Sequence, residues 1–532
     1  MFLNKRKKIT EQIKQSFGNI KEEKFYFQNI ERYYRNKKII GDSKTISDET
    51  ALDLDFDDLF MYLDRTTSKV GQQYLYYLLR NIHADQSKKA IKEQLIHKFI
   101  NDESFRLKVQ LTLNELSEHE CLYLPSLFQE KYLSPPKWFF ILKFLALLPI
   151  VFLLLVPVSQ YFSLFLLAAL SINFGIHYWN KSNLLQYIGA LPYVNILFKV
   201  ARNLSKEDDL LLLDATIGAA IKNAEKVKGG ITFFKTNSGM ENEFTSLGWA
   251  LFELVKIPFL LEPLVLFRTL NKLDKRRSDM DKVYSFIGKI DVLISIASLR
   301  KGLANYCEPK IAAEKKNLDF TALYHPLIED CVSNSLNIKC KSVLLTGSNM
   351  SGKTSFIRTI GVNIITAFAL NTCFAENFLV SKTDIMSAIR ISDDLLNEKS
   401  YYFEEVLRIK AMLDRAEESE SCLFMLDEIF KGTNTIERIA AGKAVLSALS
   451  AKNHIVFVST HDIELADLLK EEYALYHFSE EIKDRSVGFD YKLKKGKLTK
   501  RNAIKILSIN KYPKIVTEEA LRVADELSNT NK

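Results

Sequence analysis

Hydrophobic residues form two long, almost continuous runs in the first half of this chain. Residues 138–156 are interrupted by Lys143, and residues 161–179 by Asn173 and His177. As a helix, each run has a length of roughly 28 Å, close to the hydrocarbon thickness of a bilayer. The pattern predicts a transmembrane hairpin. The alternative is a pair of very hydrophobic helices buried inside the protein.

The residues around the two runs predict how a hairpin would be oriented. Lys137 and Lys181 flank its open ends, and Trp138 and Trp179 occupy positions where interfacial aromatic residues are enriched. We therefore expect both termini of the chain, and the domains attached to them, on the cytoplasmic side of a membrane. A third apolar stretch, 249–267, is broken by charges and prolines and is expected to contact the core or the membrane surface rather than to cross.

Short apolar runs that end in polar residues characterise the second half of the chain. The first leads into Gly347 and a helix-like segment, the second (422–426) ends in Asp427 and Glu428, and the third (455–459) ends in Thr460 and His461. Fully apolar runs of this length are typical of buried parallel strands, whose carboxyl ends share one edge of a sheet. The pattern predicts an α/β domain with polar side chains gathered at that edge.

The spacing Gly-x-x-x-x-Gly-Lys-Thr after the first of these strands predicts a phosphate-binding loop for ATP. The predicted nucleotide-binding residues are Gly347, Ser348, Asn349, Met350, Ser351, Gly352, Lys353, Thr354 and Ser355. Oxygen ligands for Mg²⁺ are expected from Thr354 and Asp427. Lys353, Glu428 and His461 are the candidate catalytic residues, with Glu428 orienting a water and His461 sensing the γ-phosphate. The alternative is a solvated pair of acids at a strand end and a surface histidine.

These motifs resemble those of the MutS mismatch-repair ATPases, a branch of the ABC-type ATPases. Residues 346–354 are similar to the family's phosphate loop, and residues 427–435 to its D-E-x-G-R-G-T-S-T signature, with Phe430, Lys431 and Asn434 departing from it. The resemblance implies a homodimer in which Ser400 reaches the nucleotide of the opposite subunit, and the departures leave a slow ATP hydrolase as the expectation. Read locally, Ser400 fits a helix N-cap equally well.

The resemblance extends into the helical region. Residues 59–71 resemble the start of the MutS core domain, and residues 290–297 the end of its lever. We therefore expect a basic segment 1–49, a helical core and lever domain 50–310 containing the hairpin 138–179, an ATPase domain 311–520 and a tail 521–532. The family's mismatch-reading Phe-x-Glu motif is not found in the residues that precede the core.

The net charge of +8 is uneven, and residues 1–46 carry twelve Lys/Arg against five Asp/Glu. Such a cluster suits anionic lipid headgroups or nucleic-acid phosphates, or is simply solvated. The six cysteines have no metal-type spacing, which favours a reducing compartment. The sequence thus predicts a membrane-anchored MutS-like ATPase that binds DNA in mismatch repair, recombination control or DNA tethering. The alternatives are an ABC-like ATPase coupled to a membrane process without DNA, and a nucleotide-switched scaffold.

Overall fold

The computed structural model describes residues 2–40, 45–83, 88–130, 139–231, 256–348, 350–390, 401–483, 486–498 and 503–530. Trp138, Asn349 and Ser400 lie outside the described residues. The chain divides into two compact units. The helical unit comprises Met1–Ser43, Leu63–Arg80 and Gln86–Gly302, and the sheet unit comprises Lys44–Tyr62, Asn81–Asp85 and Leu303–Lys532.

The α-helices up to the end of the helical unit are α1 (Phe2–Ser16), α2 (Phe27–Ile30), α3 (Arg32–Ile40), α4 (Asp48–Asp53), α5 (Phe56–Leu63), α6 (Lys69–Arg80), α7 (Lys89–Asn101), α8 (Glu103–Leu113), α9 (Phe139–Leu155), α10 (Phe162–Leu204), α11 (Asp208–Leu211), α12 (Ile217–Ala224), α13 (Lys228–Ile231), α14 (Leu261–Asp274) and α15 (Arg277–Gly302). The later helices are α16 (Lys353–Leu370), α17 (Tyr401–Glu418), α18 (Thr435–Ser450), α19 (Ile463–Leu469), α20 (Ala503–Ile509) and α21 (Lys514–Thr530).

The strands are β1 (Lys310–Ala312), β2 (Asn317–Leu323), β3 (Asn334–Lys339), β4 (Ser342–Thr346), β5 (Asn377–Ser381), β6 (Asp384–Ala388), β7 (Cys422–Asp427), β8 (Ile455–Thr460), β9 (Tyr473–His477), β10 (Glu480–Lys483), β11 (Ser486–Phe489) and β12 (Lys494–Lys495).

A buried carboxylate from the long helix α15 caps the start of helix α6 in the helical unit. Asp291 accepts hydrogen bonds from the backbone N–H groups of Thr67 (2.9 Å) and Ser68 (2.7 Å) and from the Ser68 hydroxyl. Gly71 has no room for a side chain, because a Cβ there would lie 2.2 Å from Asp291 Oδ2. The two helical segments that resemble MutS in the sequence therefore meet in one hydrogen-bonded cluster.

Helices α9 and α10 correspond to the two apolar runs and pack against each other. Asn173 Nδ2 donates to Leu145 O on α9 (3.0 Å) and to Pro258 O (2.6 Å), so the N–H groups of this buried amide are satisfied, whereas its Oδ1 has no hydrogen-bond partner among the described residues. Helix α10 continues without a break to Leu204, well past the expected end at residue 179.

By length and composition, one helix of the described residues is long and apolar enough to cross a membrane. It is the segment Phe162–Trp179 of α10, with mean hydropathy 1.4, and only 17% of it is buried. Helix α9 is apolar but shorter, so two full crossings remain an expectation from the sequence rather than an observed hairpin. The part of the third apolar stretch that is described packs on α9, where Leu260 contacts the cluster of Leu142 and Ala146.

The sheet unit is built on a six-stranded sheet with the order β12-β9-β4-β8-β7-β6. Its strands are parallel except for the edge strand β12, which pairs antiparallel with β9. Strand β4 lies between β9 and β8 and is buried along its whole length, as its apolar sequence predicts. A mixed four-stranded sheet, β1-β5-β2-β3, and the hairpin β10-β11 complete the unit. The expected α/β architecture, with a separate helical unit, is confirmed.

Residues 44–62 are grouped with the sheet unit, although the sequence boundaries place most of them in the helical domain. The physical reason is Asp53, which is fully buried in this unit. Its carboxylate accepts hydrogen bonds from the Ser387 hydroxyl (2.6 Å) and from the backbone N–H groups of Ile389 (3.0 Å) and Arg390 (2.8 Å), and it pairs with Arg408. The segment thus supplies hydrogen-bond acceptors to the residues at the end of strand β6.

Candidate nucleotide site

The phosphate loop joins the buried strand β4 to helix α16. Gly347 (φ 154°) and Gly352 (φ 98°) adopt positive φ angles that favour glycine. Space is restricted as well, because a Cβ on Gly347 would lie 2.7 Å from Phe478 O. Both glycines of the motif are therefore needed for the loop to turn tightly before the helix begins at Lys353.

Two serines of the phosphate loop form hydrogen bonds that hold its shape. The Ser351 hydroxyl donates to Ser348 O (2.7 Å), and the Ser348 hydroxyl donates to the buried carboxylate of Glu480 (2.9 Å). Lys353 Nζ donates to the carbonyl oxygens of Gly347 (2.8 Å) and Ser348 (2.9 Å). Burial lowers the pKa of Lys353, which the carboxylates of Asp427 and Glu428 oppose. The loop thus holds the ammonium group of Lys353 on its inner side, at the edge of the expected phosphate pocket.

The two residues expected to bind Mg²⁺ are brought together. Thr354 Oγ1, in the first turn of α16, donates to Asp427 Oδ2 over 2.7 Å, and the Ser459 hydroxyl donates to Asp427 Oδ1. A hydroxyl and a carboxylate at the end of a phosphate loop are the oxygen ligands that Mg²⁺ prefers, together with phosphate and water. The residues present therefore fit this ion.

Glu428 and His461 also meet, because β7 and β8 are parallel neighbours in which Asp427 is opposite Ser459. His461 Nε2 lies 2.8 Å from Glu428 Oε1, and Lys431 Nζ lies 3.0 Å from Glu428 Oε2. The hydrogen bond with His461 is the largest cause that lowers the pKa of Glu428 to about 2, and Lys431 adds to it. Glu428 is therefore ionised at neutral pH and is able to accept a hydrogen bond from water.

The loop after Glu428 has a conformation that explains the glycine in the family signature. Phe430 stands at that position with φ 59°, a strained angle for a bulky residue, and its N–H donates to the carboxylate of Glu405. The Phe430 ring is buried next to Ile429 in the sheet core, which offsets the strain. Asn434 replaces a serine and caps helix α18, because its Oδ1 accepts from Glu437 N (3.0 Å).

An ion pair that the sequence analysis missed fixes the loop carrying His461. Arg438 on α18 binds Asp462 with two hydrogen bonds, Nε to Oδ2 (2.9 Å) and a terminal nitrogen to Oδ1 (2.7 Å). Asp462 follows His461 directly, and α18 follows the Glu428 loop. The pair therefore ties together the two chain segments that carry the candidate catalytic residues. No motif indicated it, because the two residues are brought together only by the parallel pairing of β7 and β8.

A cavity of about 720 Å³ opens beside these groups. One part is lined by the phosphate loop, Asp427, Glu428 and Lys431. The rest combines apolar and aromatic residues with two acids: Ile328, Val332, Tyr491, Glu329 and Asp330. Cavities of this size suit a small organic ligand or cofactor. The phosphate loop suits the phosphates of a nucleotide, and the apolar and aromatic side chains at the other end offer contacts to its base.

Tyr491 places an aromatic side chain at this cavity. Asn334 holds the Tyr491 segment, since its Nδ2 donates to Tyr491 O (3.0 Å) and its Oδ1 accepts from Leu493 N (2.8 Å). His325 N donates to Sγ of the cavity residue Cys331 (3.3 Å), and burial lowers the pKa of His325 to about 4, which keeps its ring neutral. Nothing in the sequence signals that Tyr491 joins Asn334, since the two residues are far apart along the chain.

A strand, a glycine-rich loop and a helix, with two acids and a histidine at the ends of neighbouring parallel strands, define a P-loop nucleotide-binding domain. The family profile described as MutS domain V matches residues 343–528. The resemblance to MutS is confirmed for this part of the chain, which is similar to MutS domain V.

Curated proteins named DNA mismatch repair protein MutS are similar to about half of the chain. The protein from Listeria monocytogenes serotype 4b is 29% identical over 270 residues, which are 48% of this chain and 30% of that protein. The Aquifex pyrophilus protein is 29% identical over 264 residues (47% and 30%), and the Petrotoga mobilis protein is 28% identical over 274 residues (49% and 33%). The chain therefore spans about a third of the length of these relatives.

Proposed function

We propose that this protein is a Mg²⁺-dependent ATPase of the MutS type that binds DNA and is anchored to a membrane. The observation that carries the ATPase assignment is the convergence of Thr354 with Asp427 (2.7 Å) and of Glu428 with His461 (2.8 Å) at the mouth of one phosphate loop. MutS domain V similarity supports it.

Each side chain has a distinct task in the proposed reaction. Lys353 would bind the β- and γ-phosphates, and Thr354 and Asp427 would hold Mg²⁺, which would neutralise phosphate charge. Glu428 accepts a hydrogen bond from the attacking water and orients it. His461 is within hydrogen-bond distance of Glu428, so it is placed to relay the state of the γ-phosphate to this carboxylate. Lys431 also binds Glu428, and we expect this contact to slow turnover because it competes with the water.

Exposed apolar side chains on α9 and α10 support membrane anchoring. Phe140, Leu154 and Leu164 are each about two-thirds exposed, and further large apolar residues along both helices share this exposure. An apolar surface of this extent is costly in water and matches a lipid environment. A buried helix pair is disfavoured, because little of Phe162–Trp179 is covered. We propose that the bilayer surrounds this pair and that the ATPase and both termini are cytoplasmic.

DNA is the proposed ligand because the similar proteins are named for DNA mismatch repair. On the described part of α1, Arg6, Lys7 and Lys8 are exposed and free to meet phosphates of DNA or of anionic lipids. The basic cluster near the C-terminus is less suited, since Lys494 pairs with Asp490 and Lys497 with Asp467. A membrane process without DNA is the alternative.

The decisive experiment measures ATP turnover of the full chain in nanodiscs, with and without duplex, mismatched and branched DNA, over a series of salt concentrations. We expect DNA to stimulate turnover and to bind more weakly as salt rises. Glu428→Gln should abolish turnover but keep ATP binding. Glu472→Gln, which changes an acid outside this cavity, is the matched control. Turnover that no DNA changes would favour the alternative, and a fully active Glu428→Gln protein would refute the assignment of Glu428.

A second experiment tests the proposed homodimer. If Ser400 acts on the nucleotide of the opposite subunit, mixing Ser400→Ala chains with Lys353→Ala chains should restore about one active site per mixed dimer, because both defects fall in the same composite site. Mixed dimers that show no recovery would contradict the contribution of Ser400 in trans.

A further inference from the structure

Two cysteines of the sheet unit lie opposite each other on neighbouring backbone segments. Cys307 and Cys373 form an isolated antiparallel bridge, in which Cys307 N donates to Cys373 O (3.0 Å) and Cys373 N donates to Cys307 O (2.9 Å). Residues paired by reciprocal hydrogen bonds of this kind have Cα atoms about 5.5 Å apart. Disulfides span Cα separations of about 4.4–6.8 Å, so the backbone is already spaced for one.

The side chains of this pair also interact. A hydrogen bond with the Cys373 thiol lowers the pKa of Cys307, and this effect exceeds the opposing effect of burial. Cys307 is half-buried, whereas Cys373 is fully buried. The partly accessible thiol therefore has a lowered pKa, and its buried neighbour is within reach. This division suits an attacking and a resolving cysteine.

We propose that Cys307 and Cys373 form a modification site at which a hydroperoxide generates an intramolecular disulfide. With hydrogen peroxide, the Cys307 thiolate attacks one oxygen, the O–O bond breaks and hydroxide leaves. The hydroxide takes up the proton that the Cys307 thiol had released, so a sulfenic acid and one water form. The Cys373 sulfur then attacks the Cys307 sulfur, and the hydroxyl group leaves as a second water with the Cys373 proton. With hydrogen peroxide, two thiols are oxidised to one disulfide while both peroxide oxygens are reduced to water.

The position of the pair gives the disulfide a structural consequence. Cys307 lies between the end of α15 at Gly302 and strand β1, and Cys373 lies between the end of α16 at Leu370 and strand β5. Strands β1 and β5 are paired, so the disulfide would add a covalent link next to two segments that are already neighbours, without rearranging them. It would restrain the C-terminal end of the helix whose other end begins the phosphate site.

The remaining cysteines offer an internal comparison. Burial raises the pKa of Cys121 and of Cys422, which makes both thiols poor nucleophiles. Cys340 is exposed and therefore the most accessible thiol of the chain. If exposure alone governed oxidation, Cys340 would react first. If the paired geometry governs it, the disulfide between Cys307 and Cys373 forms first.

The test treats the reduced full-length protein with limiting hydrogen peroxide, blocks the remaining thiols with an alkylating reagent, and maps peptides by mass spectrometry. We expect a linked pair of peptides containing Cys307 and Cys373, lighter by two hydrogens and split again by dithiothreitol, while the thiol count falls by two from the six in the chain. Cys340→Ser should keep this product, and Cys307→Ser should abolish it.

Oxidation of Cys340 first, with Cys307 and Cys373 both alkylated, would overturn the proposal. So would a stable sulfinic acid on Cys307 without a disulfide. Both results come from the wild-type chain, so they do not depend on the folding of a variant. The assay uses no nucleotide or DNA, so its outcome is independent of the proposed ATPase.

Discussion

Asp53 is predicted to be among the most sensitive positions of the sheet unit. Its carboxylate is completely buried and is the acceptor for Ser387, Ile389 and Arg390, and it also pairs with Arg408. Asp53→Asn keeps the size of the side chain but removes the charge and turns an amide N–H₂ toward groups that are themselves donors. Breaking a buried ion pair in this way costs about 3–5 kcal/mol.

Asp55 provides a matched control two residues further on. It binds Arg358 (3.0 Å) and Arg390 (2.6 Å), but its side chain is 28% exposed, so water replaces much of what is lost in Asp55→Asn. Partly exposed pairs of this kind contribute only ~0–1 kcal/mol. The comparison therefore separates burial from charge, because both variants remove one carboxylate from the same segment.

Amide hydrogen exchange is the suitable assay, because the three tryptophans of the chain lie at positions 138, 179 and 249, all in the helical unit. Peptides from strand β7 should lose protection by about a hundred- to a thousand-fold or more in Asp53→Asn, since each 1.4 kcal/mol corresponds to about tenfold. Tryptophan fluorescence should report an unchanged helical unit. Equal protection in the Asp53 and Asp55 variants would refute the reasoning.

Three further predictions concern the helical unit and the loop of His461. Gly71→Ala should destabilise the helical unit by about 1–3 kcal/mol or more in a urea titration followed by tryptophan fluorescence, because its Cβ would overlap Asp291. Burial raises the pKa of Asp291 to about 6, so its contribution to stability is complete below about pH 4 and is lost as pH rises toward 6. In urea titrations between these two pH values, the wild type should therefore lose up to about 3 kcal/mol of stability relative to Asp291→Asn. Arg438→Asp should lower kcat of ATP hydrolysis more than it raises KM, and the charge swap with Asp462→Arg should restore part of it.

Matched positions control these three predictions. Gly218→Ala, on the exposed face of α12 with open space around it, should leave stability unchanged or slightly improved. Lys443, which lies on the same helix as Arg438, forms an ion pair with Glu472, and swapping these two charges should leave kcat unchanged. Equal effects of the two glycine variants, or of the two charge pairs, would contradict the assigned contacts. A wild-type stability that rises relative to Asp291→Asn over this pH range would contradict the pKa of Asp291.

Much of the candidate site follows from local sequence. The loop from Gly347 to Thr354 needs two glycines, a lysine and a hydroxyl at fixed spacing, and that spacing is visible without a structure. Asp427 and Glu428 end an apolar run, and His461 ends another, so the common edge of a parallel sheet could be predicted as well. The apolar composition of α9 and α10 was equally plain, although the continuation of α10 to Leu204 was not.

Only the tertiary structure decided which side chains surround these groups. Arg438 on Asp462 and Tyr491 at the cavity follow from strand order, which brings distant segments together, and Lys431 reaches Glu428 because of the conformation of the loop that they share. Asp53 is the clearest case, because its partners lie more than 330 positions away in the chain. Local spacing determines a loop that binds its ligand through its own backbone. Contacts between distant residues depend instead on how whole elements pack, and no short sequence pattern encodes that packing.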